Sequence, residues 1–206
     1  MADQLCTTAQ VKARLRITDA TDDTLISELI DELSDWLQHE TGRKLVADAS
    51  QTYYFDTRAG YVLHIPRGLR TVTSLGVALT AQPDSGGTYT TVAATDYLLR
   101  PKVQDAAGGW PFTEIWISRG TLAGTITRFA TVQNGAKIVG DFGFATTPPD
   151  IQGVAIDAVV AAYQSRENGV SGVIGADDGA IAPWASFFGR GSPQRRTVDR
   201  YRWFAV

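Results

Sequence analysis

The stretch over residues 21–43, T-D-D-T-L-I-S-E-L-I-D-E-L-S-D-W-L-Q-H-E-T-G-R, constrains the fold most, because it is long, one-sided and acidic. Leu25, Ile26, Leu29, Ile30, Leu33, Trp36 and Leu37 recur at intervals of three and four. With side chains advancing about 100° per residue, they line up as one apolar stripe of a helix. Thr21 is the expected N-cap, Asp22 and Asp23 suit the positive end of the helix dipole, and Gly42 is the expected stop. From Ile17 to Gly42 the chain holds eight carboxylates (Asp19, Asp22, Asp23, Glu28, Asp31, Glu32, Asp35, Glu40) and no Lys or Arg. The polar face of this helix therefore carries a concentrated negative potential.

A shorter helix is expected just before it, over residues 9–15, where Thr7 and Gln10 have the N-cap and N3 spacing of a capping box. Two such helices cannot bury their stripes alone, so a later element must cover them. The candidate begins after Pro148-Pro149, with Asp150 as its cap. Ile151, Val154, Ala155, Ala158, Val159, Ala162 and Tyr163 form a stripe of small apolar residues that permits close helix approach, and Asn168-Gly169 ends it.

Between these helices the period changes to two. Tyr53 and Phe55, then Tyr61, Leu63 and Ile65, alternate with their neighbours, the second run ending at Pro66. Further strands are expected over residues 71–79, 89–92, 97–100, 113–118, 125–130 and 136–142, with turns at 82–87, 106–109 and Asn134-Gly135. Together these features predict an α+β chain. Residues 1–47 and 147–206 would form a helical core with a C-terminal tail, and residues 48–146 an antiparallel β-sandwich or barrel-like insertion.

At 206 residues the chain can bury roughly 70% of its unfolded surface without disulfides or metals. Cys6 is the only cysteine, which excludes an intrachain disulfide and reads as a small buried apolar group in a reducing compartment. No apolar run approaches the roughly 20 residues that span a bilayer, and M-A-D-Q-L-C lacks the regions of a signal peptide, so the expectation is a soluble protein made in a cytoplasm with no membrane partner. Arg190, Arg195, Arg196, Arg200 and Arg202 against Asp199 put the last 17 residues at +4, within a net charge of -3. That segment, Gly- and Ala-rich from residue 169 and then aromatic and basic, is expected to be loop-like and to order only against a partner.

Patterns for catalysis are missing. His39 and His64 have no neighbouring Ser, Cys or carboxylate arranged as a triad or zinc site, and Asp19, Asp22 and Asp23 lack the Gly and bidentate Glu of a calcium loop. G-A-D-D-G and G-R-G-S lack the lysine and the setting of a phosphate loop. No enzyme, cofactor or metal is therefore expected.

The two helices with D-D-T-L-I-S-E-L-I-D-E-L-S-D-W-L-Q-H-E-T-G-R-K, the strand ending L-H-I-P, and V-T-S-L-G-V resemble the opening of tailed-bacteriophage head-tail connector (adaptor) proteins of the longer type. Asp96-Tyr97, Gly109-Trp110-Pro111, G-D-F-G-F from Gly140, Pro149-Asp150-Ile151, and Tyr163 with Arg166-Glu167 continue the resemblance to about residue 168. It implies a structural ring, commonly a dodecamer, docked on the portal protein, joined to a head-closure or tail-completion protein, and passing DNA without sequence-specific binding. Carboxylates repel phosphates, so an acidic helix suits such a channel. Glu28, Asp31, Glu32 and Asp35 are accordingly candidates for a channel or inter-subunit face. Arg195, Arg196, Arg200, Tyr201, Trp203 and Phe204 are candidates for portal binding, since aromatic residues and Arg dominate interface hot spots. The competing readings are another neck component, a carbohydrate-binding β-sandwich suggested by Trp110 and Trp116, and a hydrolase with an unrecognised site.

Overall fold

A computed structural model describes residues 3–82, 87–101, 110–117, 128–167 and 187–203. Among these residues, four helices and one six-stranded antiparallel sheet define an α+β fold. The chain divides into two compact units, one of Met1–Val46 with Thr147–Val206 and the other of Ala47–Thr146.

The first unit is helical. Helix α1 (Thr8–Leu15) starts at Thr7, whose hydroxyl accepts from the Gln10 N–H while the Gln10 side chain accepts from the Thr7 N–H, a complete capping box. Helix α2 (Asp23–Thr41) buries Ile26, Leu29, Ile30, Leu33 and Leu37, and ends at Gly42 in the left-handed region with φ 64°. Its N-cap is Asp22, not the expected Thr21. Asp22 makes no capping hydrogen bond. Its carboxylate instead accepts from the Tyr163 hydroxyl at 2.7 Å, while Thr21 donates its N–H back to Asp19 at 3.0 Å. Ser34, buried on α2, accepts the Leu5 N–H at 3.0 Å and ties the N-terminal segment to the helix. Cys6 is buried beside it, and desolvation pushes its thiol up to about 11, so the sulfur is neutral at pH 7.

Helix α3 (Pro149–Glu167) packs against α1 and α2 through Ile151, Ala155, Ala158, Val159, Ala162 and Tyr163. Asp150 lies inside its first turn and accepts the Ile151 N–H, so it is not the expected cap. Asn168-Gly169, the expected end, falls outside the described residues. Helix α4 (Pro193–Tyr201) completes the unit.

The second unit contains strands β1 (Asp48–Thr57), β2 (Val62–Val77), β3 (Thr90–Val92), β4 (Tyr97–Arg100), β5 (Phe112–Ile117) and β6 (Val132–Phe142). They run β1-β6-β2-β5-β4, with β3 added to β2. Leu63, Ile65, Leu69, Leu75, Val77, Ile115, Phe129, Ile138 and Phe142 belong to one buried cluster.

Two expectations about strand ends are corrected. The strand that should stop at Pro66 and the one over residues 71–79 are a single strand, β2. Pro66 falls where the pairing with β5 slips between His64 and Leu69, and a proline without an N–H is tolerated at such an irregularity. Gly68 sits there with φ 78°, and a Cβ on it would come within 2.6 Å of Pro111. Likewise Asn134-Gly135 is not a turn between strands but lies inside β6. Asn134 takes φ 49° where the β1–β6 register slips between Phe55 and Thr57, and its N–H donates to Asp56 Oδ1 at 2.8 Å, which makes the pair a bulge. The strand expected over 125–130 lies mostly outside the described residues, and Phe129 within it makes an isolated antiparallel bridge to Gly60.

Candidate functional site

Asp23 in the first turn of α2 pairs with Lys12 at 2.6 Å, and the remaining carboxylates of the helix fall into two groups with opposite surroundings. Glu28, Asp31, Glu32 and Asp35 lie on the side of the helix away from Ile26, Ile30, Leu33 and Leu37. Glu28, Glu32 and Asp35 are exposed, and none forms an ion pair among the described residues. Asp31 is half-buried and accepts from Gln4 Nε2 at 2.8 Å. Three carboxylates within two turns, unpaired among the described residues, hold a concentrated negative potential.

Glu40, at the C-terminal end, is enclosed by cations. Its Oε1 accepts from Arg195 Nη2 and from Arg202 Nη2, both at 2.6 Å, and its backbone carbonyl accepts from Arg202 Nε at 3.3 Å. Arg195 also donates to Asp199 at 3.1 Å, four residues along α4. The Trp203 N–H donates to the Thr41 carbonyl at 2.8 Å, taking up one of the acceptors that every helix leaves open at its C-terminus. The Trp203 ring lies 5.4 Å beneath the Arg43 guanidinium. Arg43 Nε and Nη1 are buried without a hydrogen-bond partner, and desolvation lowers the pKa of this guanidinium. At the C-terminal end of α4 the Tyr201 hydroxyl donates to Asp150 at 2.7 Å, and burial, reinforced by that carboxylate, raises its phenol pKa. Arg200 reaches the same carboxylate at 3.5 Å.

The tail is therefore not loop-like over residues 193–201, nor does that part need a second chain to order. It is a helix, capped by Ser192 accepting the Arg195 N–H at 3.0 Å with Pro193 in its first turn, and it packs on α2 and α3 of its own chain. The signal was present in S-P-Q-R, an N-cap followed by proline at the first helical position. Its docking site was not legible, because Glu40 looks like one more acid on α2 until the fold brings residues more than 150 positions away onto it. Of the candidate portal-binding residues, Arg195, Tyr201 and Trp203 make these contacts, Arg196 and Arg200 are exposed, and Phe204 falls outside the described residues. The acidic group at Glu28–Asp35 and the basic tail are not brought together.

His39 is exposed, and His64 stands 3.5 Å from Glu114 with half its side chain in solvent. Among the described residues no group of three His, Cys, Asp or Glu side chains is placed to hold a metal ion, and no helix is long and apolar enough to cross a membrane.

Residues 7–75, which span α1, α2, β1 and most of β2, match the family model described as phage gp6-like head-tail connector protein. No curated protein matches. Among solved structures, a chain from the neck of an empty GTA particle, computed with C6 symmetry, shares the fold at a TM-score of 0.54 and 18% identity, covering 97% of this chain and 90% of that one. A chain of the virion of a native gene transfer agent (GTA) particle gives a TM-score of 0.49 at 17% identity, over 97% of this chain and 90% of that one.

Proposed function

We propose that this chain is a structural adaptor at the head-tail junction of a phage-like virion, forming a ring, commonly a dodecamer in such proteins, beneath the portal protein and extending the DNA channel toward the tail. The observation that carries the reading is the family match over residues 7–75, which includes the whole acidic helix. The shared fold with a chain of a GTA particle neck supports the location. On this reading Glu28, Asp31, Glu32 and Asp35 face the channel or a neighbouring subunit, where carboxylates let a duplex slide rather than trap it. Arg196 and Arg200 offer the portal an exposed basic edge, while Arg195, Tyr201 and Trp203 serve it by holding α4 in place. A head-closure or tail-completion protein binds on the far side. The sheet unit works as a barrel-like domain, a reading supported by one sheet burying a single cluster along both halves of β2. The protein contributes contacts and charge, not chemistry.

Native mass spectrometry of the chain alone and with the portal protein of the same particle tests this. A ring, or one copy per portal subunit, is the expected outcome. A monomer in both samples would overturn the reading in favour of a tail-completion role, or of sugar binding at Trp116, which is 41% exposed.

A further inference from the structure

On the side of α3 away from its buried stripe, a groove of about 310 Å³ runs between α1 and α3, lined by Gln10, Ala13, Arg14, Gly153 and Ile156. We infer that this groove seats the acidic face of α2 from the next copy of the chain, an inference that rests on the ring reading above. Three observations carry it.

The first is Gly153, a glycine in the body of a helix, where it costs stability relative to alanine. Its φ is not positive, and a Cβ built there would meet nothing within 4 Å. Among the described residues neither backbone conformation nor packing calls for a glycine at this position, which leaves room for close approach of another chain. The second is charge. Arg14, with 62% of its side chain exposed, stands on the rim in a solvent-exposed pair with Asp157, and Arg16, two residues on at the C-cap of α1, is exposed with no partner among the described residues. The carboxylates of Glu28, Glu32 and Asp35 have no ion-pair partner among the described residues, so the unpaired Arg16 and the exposed, exchangeable Arg14 offer them the cations they lack.

The third is placement. Glu28, Glu32 and Asp35 point away from the side of α2 that packs on α3, and Gly153 and Ile156 lie away from the side of α3 that packs on α2. The two surfaces cannot meet within one chain. Two different patches that complement each other form a head-to-tail contact, and such a contact generates a ring when its rotation closes.

Charge reversal on the full chain, assembled with the portal protein, tests the inference. Arg14→Glu with Arg16→Glu, and separately Glu28→Lys with Glu32→Lys, are each expected to cut ring yield at least about tenfold through like-charge contact, and the chain carrying all four substitutions is expected to regain it. Gly153→Leu is expected to lower ring yield as well, yet to raise the melting temperature of the free subunit, a pair of opposite changes that a purely internal role would not produce. Circular dichroism checks that every variant keeps its helices. Rings formed normally by either double variant, or no recovery in the fourfold variant, would overturn the groove as the interface while leaving the connector reading intact. Failure of the unsubstituted chain to form a ring on the portal would remove both.

Discussion

In the sheet unit one uninterrupted segment, Ala47–Thr146, supplies every strand, and an apolar cluster lies along both halves of β2. The helical unit is drawn from both ends of the chain, and besides its apolar stripes it relies on two arginines closing on Glu40 across more than 150 positions. The difference teaches where each unit is vulnerable. Apolar burial is non-directional and spread over many side chains, so its loss is felt throughout the cluster. A clasp of charge-assisted hydrogen bonds depends on a few atoms at fixed geometry, so its loss releases one helix and leaves the rest standing.

The strongest way to break this comparison is Phe142→Ala. Phe142 is fully buried and meets Tyr53 edge to face at 4.7 Å, so its truncation should cost the sheet unit about 3–5 kcal/mol. Hydrogen exchange through a urea titration, read separately at the sheet amides and at the helix amides, checks it. If both signals shift together, the units unfold as one body and the contrast is wrong.

Glu40→Ala should have a smaller and local effect, about 1–2 kcal/mol, because the pairs it removes are partly solvated. Hydrogen exchange should show α4 amides losing protection while the interior of α2 keeps it, and uniform loss would mean that α4 is integral to the helical core. Thr7→Ala removes the hydroxyl of the α1 capping box and should cost about 1 kcal/mol, measured as a lower melting temperature with the sheet signals unchanged.

The smallest effect concerns pH. The Ser50 N–H, at 2.9 Å, and then the Thr71 hydroxyl, at 3.0 Å, hold the Asp141 carboxyl below its usual range in the sheet unit. A folded-state pKa below the unfolded one stabilises the fold at neutral pH, and that contribution disappears as pH falls through the folded value. The stability gap between the natural chain and Asp141→Asn should therefore narrow below about pH 4, where the unfolded carboxyl begins to protonate. A gap that stays constant across that range would show that these hydrogen bonds do not favour the charged form.

The sequence alone determined the parts of this protein that depend on neighbours within a few positions. The α1 capping box, the α2 stripe with its Gly42 stop, the acidic face and the β-forming middle are local features, set by helix and strand periods and by side chains bonding to adjacent backbone. Only the tertiary structure decided the rest. It carried β2 through Pro66 and turned Asn134-Gly135 into a bulge, because a partner strand can absorb a slip in register that a turn propensity cannot foresee. It also separated Glu40 from Glu28, Glu32 and Asp35, since the chain's two ends must meet before two arginines can neutralise it, while those three keep no ion pair among the described residues.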